Sequence, residues 1–435
     1  MDQSAPGPAR EGIPVPGGAS ALSTFLRVLG PGYLVAVGYM DPGNWATDLA
    51  AGSRYGYGLL WVVALSSLMA IVLQTLACRL GIAAEANLAQ LCARELHPRL
   101  RLPLWLLAEV AIVACDLAEL VGTALALQLL FGLPLAWGVV LTVFDTLVLL
   151  LAQQWGMRKL EVLVIGMVAL VGGCFLVEML LLQPSWPAVF RGLLPQPGSL
   201  GDPQALLLAA GILGATVMPH NLYLHSQLVR SRRWPAGEAM RRRALRFSSV
   251  DTLVALSLAF LLNAAILVLA GGSFHGRLAT PVTDLAQAYH LLPSVLGTSL
   301  ASLLFAVALL ASGQSSTLTG TLAGQVVMEG FLHLRLPDWQ RRLLTRGLAL
   351  LPAMGAVLLF GDQATTSMLV LSQVVLSLQL PFAVVPLVWF CGSRRLMGAL
   401  RAPLWLQLIG WLCAGLIVAI NLSLLLALAR SWFSP

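Results

Sequence analysis

Apolar stretches long enough to cross a bilayer follow one another along almost the whole chain. A helix needs about 20 such residues to span the hydrocarbon core. Because every backbone N–H and C=O must be bonded internally there, the stretches predict helices. We therefore expect an all-α integral membrane protein with about 11 transmembrane helices. The predicted spans lie at about 30–53, 58–82, 104–131, 134–153, 161–183, 204–229, 247–271, 293–320, 343–361, 366–391 and 403–430.

The composition excludes several other classes of protein. Of the 435 residues, 58% are hydrophobic and only 10% are charged, against about 25% charged in soluble domains. The net charge of +7 comes without any nucleic-acid-binding signature. The six cysteines form no CxxC pair and lie in or beside apolar stretches, which predicts buried thiols. No HExxH or GxSxG motif occurs, so we predict neither an enzyme nor a cofactor.

The distribution of basic residues predicts the orientation. Residues 1–23, rich in Pro, Gly and Ser, are expected to be a disordered cytoplasmic tail, followed by a single transmembrane domain over 24–435. With the N-terminus inside, 22 of the 26 basic residues are internal, as the positive-inside rule requires. An odd number of spans then predicts an external C-terminus. The four external basic residues are Arg54, Arg191, Arg277 and Arg430.

Two predicted spans are interrupted in the middle of the membrane. Span one contains Pro42-Gly43-Asn44 and span six contains Pro219-His220-Asn221. Proline removes a backbone donor and glycine weakens a helix, so both spans are expected to unwind there. Paired interruptions in the first helix of two inverted halves indicate the substrate site of a transporter. We predict inverted five-span repeats at about 30–183 and 204–391, with an extra span at about 403–430.

The chemistry around the two interruptions favours a cation as substrate. The groups offered are the Asp41 carboxylate, the Asn44 amide oxygen, the carbonyls near Gly38 and Ala215, and the Met218 thioether. One soft sulfur among oxygens favours Mn²⁺, Fe²⁺, Co²⁺ or Cd²⁺ over Ca²⁺ and Mg²⁺. An ion-coupled amino-acid symporter of the same fold is the alternative. Such a protein more often presents glycines and free helix N-termini to a substrate carboxylate.

A second polar feature lies in span three. Glu109, Asp116 and Glu119 fall within about 80° of one another on one helix face. Carboxylates inside a membrane are costly and usually mark an ion or proton path. Ion pairing is the alternative for part of this set, and we favour a proton relay. The candidate partners in span nine are Arg341, Arg342 and Arg346.

The remaining polar residues of the interruptions receive supporting roles. His220 and His225 lie about 140° apart around a helix, so they do not form a ligand pair. We expect His220 to act in the proton pathway or in gating, and His225 to be structural or to support the site from outside. Asn263 in span seven is expected to bond one helix to another. Further gating or supporting positions are Pro42, Gly43, Pro219 and Asn221.

Three motifs of this chain resemble those of one transporter family. They are Met40-Asp41-Pro42-Gly43-Asn44-Trp45-Ala46-Thr47-Asp48, Met218-Pro219-His220-Asn221-Leu222-Tyr223-Leu224-His225-Ser226, and the segment 313–325 near span eight. These look like the signatures of the Nramp divalent-metal transporters, and the similarity covers nearly the whole chain after the tail. The number of spans is like that of the bacterial manganese-transport branch.

The resemblance implies a leucine-transporter-type fold and import of Mn²⁺ or Fe²⁺ together with protons. It implies metal ligation by Asp41, Asn44, Met218 and the carbonyls of Gly38 and Ala215, with Gln373 joining in one conformation. It also implies proton movement from Asp41 along span three, through Asp116 and Glu119, toward the arginines of span nine. A multi-pass protein of the bacterial inner membrane, working as a monomer without a cofactor or nucleic acid, is expected.

Overall fold

The computed structural model describes residues 13–16, 20–142, 144, 156–196, 198, 201–334, 337–360 and 364–433. Within these residues nine helices are long and apolar enough to cross a membrane. A tenth crossing is counted if the bent pair Ala21–Val28 and Pro31–Gly38 is taken as one span. The two strands are β1 (Ile13–Pro14) and β2 (Arg232–Arg233), paired in parallel. The helices are α1 (Ala21–Val28), α2 (Pro31–Gly38), α3 (Pro42–Tyr55), α4 (Leu60–Ala84), α5 (Leu88–Glu95), α6 (Pro98–Phe131), α7 (Met157–Leu182), α8 (Trp186–Gly192), α9 (Pro203–Val217), α10 (Pro219–Leu228), α11 (Glu238–Ser273), α12 (Leu285–Leu296), α13 (Leu300–Leu332), α14 (Asp338–Phe360), α15 (Ala364–Gly392), α16 (Arg394–Met397) and α17 (Leu404–Phe433).

Most predicted spans correspond to one of these helices with small shifts at the ends. Span eight differs, because α13 covers Leu300–Leu332 rather than 293–320. Gly297, at φ 73°, ends α12 and separates the two helices. The polar part of α13 then continues because Ser316, Thr317 and Thr319 are buried by protein. Span four is helical over 135–142, and its residues 143 and 145–153 lie outside the described part of the chain.

The two predicted interruptions are present as breaks between separate helices. Span one consists of α2 and α3 with a break at residues 39–41, and span six consists of α9 and α10 with a break at Met218. Pro42 and Pro219 stand at the first position of the second helix in each pair, where a missing N–H is tolerated. The Asp41 side chain accepts a hydrogen bond from the Asn44 backbone N–H and so caps α3.

Packing places both breaks inside the helical bundle. The two halves of span one lie against α11, and α9 lies against α15. Helix α6 packs along α13 and also contacts α14 and α15. The carboxylates of span three and the broken segments are consequently surrounded by protein rather than lipid.

The segment before span one is more ordered than predicted for a tail over 1–23. Residues Ile13–Pro14 pair with Arg232–Arg233, and α1 begins at Ala21. The strand pairing is extended by the Val15 N–H, which donates to the Arg233 carbonyl at 3.0 Å. Residues 1–12 and 17–19 lie outside the described residues. Backbone pairing, which composition does not reveal, explains the difference.

Candidate metal centre

Asp41 lies at the centre of a hydrogen-bonded group in the break of span one. Its Oδ1 accepts from the backbone N of Asn44 at 2.8 Å and from Asn44 Nδ2 at 2.7 Å. Its Oδ2 accepts from Gln373 Nε2 of α15 at 3.3 Å. The structure therefore brings together a residue of span one and one of span ten that the family resemblance assigned to the same site.

The Asn44 amide connects the two broken spans. Its Nδ2 donates to Asp41 Oδ1 at 2.7 Å and to the Ala215 carbonyl of span six at 3.2 Å. Two oxygens from distant parts of the chain, Asp41 Oδ1 and the Ala215 carbonyl, thus converge on one positively polarised NH₂ group. A cation in this position would be attracted by the same two oxygens. Rotation of the amide would then turn Asn44 Oδ1 toward the ion, and the terminal torsion of asparagine is soft.

The carbonyls of Gly38 and Ala215 share a sequence property that identifies them. Each lies four residues before a proline, Pro42 or Pro219. In an α-helix the carbonyl of residue i accepts from the N–H of residue i+4, and proline has no N–H. Neither carbonyl therefore has a donor at position i+4, and that of Ala215 accepts instead from Asn44 Nδ2.

Met218 separates α9 from α10 in an uncommon backbone conformation. Its φ is 30° and its ψ is 103°, a region that residues other than glycine rarely adopt. The side chain is fully buried and packs with Ala111, Cys115 and Leu376. Asn221 Nδ2 contacts Met218 Sδ at 3.5 Å. The thioether thus lies in the interior, at the break and beside span three.

Gly43 allows span ten to approach span one. A Cβ atom built on Gly43 would overlap the side-chain amide of Gln373. The third residue of the Pro-x-Asn pattern in span six, Asn221, similarly occupies the space where a Cβ on Gly38 would lie. Small residues at 38 and 43 are therefore required for both polar side chains to reach the break.

Two residues that were not part of the predicted site support the unwound segment of span one. Asn263 Nδ2 of α11 donates to the Tyr39 carbonyl at 2.7 Å and lies 3.5 Å from Asn44 Oδ1. Ser312 Oγ of α13 donates to the Met40 carbonyl. Because Asn263 is a lone amide in an apolar span, it was expected to bond one helix to another. Ser312 had no distinguishing signal, because serines are frequent in its helix.

The site is closed to solvent. Asp41, Asn44, Met218 and Gln373 are each at most 1% exposed. Among the described residues no group of three or more His, Cys, Asp or Glu side chains could hold a metal ion. The donor set here is a single carboxylate with amide, carbonyl and thioether groups. This set differs from a structural zinc site, which uses four Cys or His ligands.

The two histidines of span six have different surroundings. His225 Nδ1 lies 2.9 Å from Gln74 Oε1, and Gln74 Nε2 donates to the Tyr39 hydroxyl at 2.6 Å. His225 therefore belongs to an interhelical hydrogen-bond network rather than to the ligand group. His220 is buried, and neither of its ring nitrogens has a hydrogen-bond partner among the described residues.

The carboxylates of span three face arginines of span nine. Glu109 Oε2 lies 3.5 Å from Arg341 Nη2, and Glu119 Oε2 lies 3.8 Å from Arg346 Nη1. Arg346 Nη1 also donates to the Asp116 carbonyl at 3.4 Å. The ion pairing that was considered as an alternative to a proton relay is thus present for Glu109 and Glu119. The side chain of Arg342 lies outside the described residues.

Cys115 joins this polar track to the site. Its side chain belongs to the same buried cluster as Met218, and its thiol lies 3.5 Å from Glu119 Oε1. The residues between the ligand group and the carboxylates that face Arg346 therefore include Cys115.

Comparisons with known proteins identify relatives along the whole chain. Residues 32–427 match the sequence model of the family described as natural resistance-associated macrophage protein-like, Nramp. The divalent metal cation transporter MntH of Nostoc sp. is 54% identical over 420 residues, covering 97% of this chain and 95% of that protein. The MntH 1 protein of Pseudomonas aeruginosa is 54% identical, covering 97% and 96%. These relatives are named as transporters, and this chain is accordingly no enzyme.

Solved structures of transporters are also similar to this chain. The Eremococcus coleocola manganese transporter, in complex with an aromatic bis-isothiourea compound, has a TM-score of 0.89 and 39% identity, covering 97% of this chain and 91% of that one. MhsT has a TM-score of 0.62 at 14% identity, covering 94% and 98%, which shows the fold alone. The predicted leucine-transporter-type fold is confirmed, while the repeat boundaries stay predictions. The chain is a multi-pass membrane transporter that belongs to the Nramp family.

Proposed function

We propose that this protein imports divalent transition-metal ions, Mn²⁺ and Fe²⁺ and also Cd²⁺ and Co²⁺, together with protons. The observation that carries the proposal is the ligand group at the two helix breaks. Asp41, the Asn44 amide and the Ala215 carbonyl converge within hydrogen-bond distance of one another. The names of the relatives, which specify divalent metal cations and manganese, support the same substrate class.

The proposed ligands are Asp41, Asn44, Met218 and the carbonyls of Gly38 and Ala215, with Gln373 joining in one conformation. The thioether is the element of selectivity. Ca²⁺ and Mg²⁺ prefer oxygen ligands alone, whereas a sulfur ligand suits softer transition metals. A bound ion would replace the Asn44 NH₂ group between the two oxygens. Only one carboxylate contributes charge, which suits an ion that must be released as well as bound.

The proposed proton path starts at Asp41 and runs along span three to span nine. Its members are Glu109, Asp116, Glu119, His220, Arg341 and Arg342. Two contacts support it: the Cys115 thiol lies 3.5 Å from Glu119 Oε1, and Glu119 Oε2 lies 3.8 Å from Arg346 Nη1. Buried carboxylates next to arginines can exchange a proton with a neighbouring acid when a cation arrives at Asp41. Pro42, Gly43, Pro219, Asn221 and His225 are proposed to support the site or its gating.

Alternating access is the proposed mechanism. The two broken spans would tilt against the remaining helices and open the closed site to each side in turn. We further propose a location in the bacterial inner membrane, with a cytoplasmic N-terminus and an external C-terminus, and activity as a monomer. The concentration of arginine in the loop after span six supports this orientation.

The amino-acid symporter remains the alternative of another substrate class. MhsT, which shares the fold, was solved in complex with L-phenylalanine. In this chain the corresponding centre contains a carboxylate and a thioether, Asp41 and Met218, which offer nothing to a substrate carboxylate. The donor chemistry therefore disfavours this alternative.

The test is Mn²⁺ uptake into proteoliposomes with lumenal pH followed in the same vesicles. We expect uptake with acidification, persistence under excess Mg²⁺, and loss of uptake in Asp41→Asn. Asp284→Asn, a loop carboxylate that caps α12, is the matched control and is expected to transport normally. Metal uptake without acidification would contradict the proton path and leave the metal site standing. Absence of Mn²⁺ uptake from folded protein would contradict the proposed substrate.

A further inference from the structure

A groove that the transport mechanism does not use lies between α1 and the first turns of α11. It has a volume of about 580 Å³ and is open to the surroundings. Ala21 lines it from α1, and Arg242, Arg243, Arg246 and Phe247 line it from α11. The groove therefore lies at the junction of the segment that leads into span one with the long helix of span seven.

The rim of the groove is positively charged. Three arginines line it, and no lining residue is acidic. Arg242 pairs with Glu238 of the preceding turn at 2.6 Å, an exposed contact. Arg246 is exposed and has no ion-pair partner among the described residues. A surplus of positive charge thus faces the groove, which favours an anionic occupant.

The floor of the groove is apolar and leads onto a lipid-facing surface. The Arg243 guanidinium lies over the Phe247 ring, with its Cζ atom 5.7 Å from the ring centre. Val250 follows one turn after Arg246, and α11 remains apolar and exposed beyond it at Leu253 and Leu261. The arginines therefore stand one to two helical turns before the exposed apolar face of α11, an order that matches the headgroup and the acyl chains of a phospholipid.

Helix α1 completes the arrangement from the other side. Its exposed residues include Leu22 and Leu26, while Thr24 is buried and accepts from Arg243 Nη2 at 3.0 Å. A helix with one apolar exposed face and one bound face is typical of a segment lying in the membrane interface. Both walls of the groove thus present apolar side chains outward and one of them presents arginines.

We propose that this groove binds one anionic glycerophospholipid, with its phosphate on Arg242, Arg243 and Arg246 and its acyl chains along Val250 and the face below it. Basic pockets between helices at the membrane surface recognise such headgroups. The amphipathic arrangement selects a lipid over a soluble phosphate, because the apolar floor would stay unfilled by the latter. The lipid would hold α1 against α11, and α1 ends at Val28, three residues before span one begins at Pro31.

The test uses the full chain in phosphatidylcholine nanodiscs that contain a trace of photoactivatable phosphatidylglycerol or, in parallel, equally labelled phosphatidylcholine. Crosslinks are mapped by mass spectrometry. We expect phosphatidylglycerol to label residues 239–250 at least ten times more than phosphatidylcholine does. Because each basic residue near an anionic surface contributes about fivefold in binding, the triple variant R242Q/R243Q/R246Q is expected to lose at least tenfold of this labelling.

Three further variants separate the site from general charge effects and from misfolding. R242K/R243K/R246K keeps the charge and is expected to retain most of the labelling. R99Q/R394Q/R401Q removes the same charge at other exposed arginines and is expected to leave labelling of 239–250 unchanged. Size-exclusion chromatography and the single variant R246Q, at an exposed position, check folding.

Specific outcomes overturn the proposal. Equal labelling by the two lipids, or undiminished labelling in the glutamine triple variant, would show that the groove has no anionic-lipid site. Displacement of the labelled lipid by excess inorganic phosphate would indicate a site for a soluble anion instead.

Discussion

Arg232 offers the most decisive test of how the first half of span one is held in place. Its guanidinium is buried and donates to Glu161 Oε1 at 2.7 Å. It also donates to the carbonyls of Arg27, Val28 and Leu29 at 3.1, 3.2 and 3.0 Å. These carbonyls directly precede span one. Arg232 therefore ties the entrance of α2 to α7 and to the loop after span six.

A second contact completes this attachment. Asp251 of α11 accepts from the backbone N–H groups of Gly30 and Gly32 at 3.3 and 2.7 Å. Gly30 has a φ of 145°, and a Cβ there would meet the Glu161 carboxylate. The beginning of span one thus cannot move away from α7 and α11 without breaking these polar contacts.

The perturbation is Arg232→Leu, which leaves the Glu161 carboxylate buried without its main partner. Removing one member of a buried ion pair costs about 3–5 kcal/mol. Arg158 Nη1 still lies 3.1 Å from Glu161 Oε2, so we take the lower end, about 3 kcal/mol, which is about 150-fold in an equilibrium constant. The matched control is Arg158→Leu. The Arg158 side chain is half exposed whereas Glu161 is buried, so solvent screens this pair from one side and we take about 1 kcal/mol for it.

Hydrogen exchange followed by mass spectrometry measures the effect directly. We expect amides of residues 29–38 to exchange about 100-fold faster in Arg232→Leu and less than about tenfold faster in Arg158→Leu, since local opening governs exchange. Peptides of α6 serve as the reference for global unfolding. Equal acceleration in both variants, or acceleration spread over α6, would refute the reasoning that the buried pair holds α2 in place.

Three other changes test the site and its surroundings. Met218→Leu keeps the packing volume, so the free energy of unfolding is expected to fall by less than about 1.5 kcal/mol. Competitive uptake assays should show reduced preference for Cd²⁺ and Mn²⁺ over Mg²⁺ in this variant. An unchanged preference would remove the thioether from the ligand set. Gly43→Ala is expected to abolish Mn²⁺ uptake because its Cβ would overlap the span-ten carboxamide, whereas Gly166→Ala, with open space around it, should leave uptake intact. The hydrogen bond from Tyr55 lowers the pKa of exposed Asp202, so this contact stabilises the protein above the ordinary pKa of the carboxyl and is lost as pH falls through the lowered value. An infrared titration should therefore show the Asp202 pKa rising in Tyr55→Phe, and an unmoved pKa would contradict the contact.

The sequence determined the membrane character, the approximate ends of most spans, and the position of both helix breaks. These properties follow from local rules, because bilayer thickness sets the length of a span and a proline removes the donor for the carbonyl four residues earlier. Gly38 and Ala215 are recognisable from Pro42 and Pro219 on that basis alone. The far end of span eight was misplaced, because burial by other helices lets a polar helix continue inside the bilayer.

Only the tertiary structure decided which groups meet. Asn44 reaches the Ala215 carbonyl across 171 residues, and Gln373 reaches Asp41 across 332. The partners of the span-three carboxylates were likewise open until the structure placed Arg341 and Arg346 beside them. Contacts between distant segments depend on how whole helices pack, since side chains far apart in sequence share no local geometry. Residue types thus specify the available chemistry, and packing selects the set that acts together.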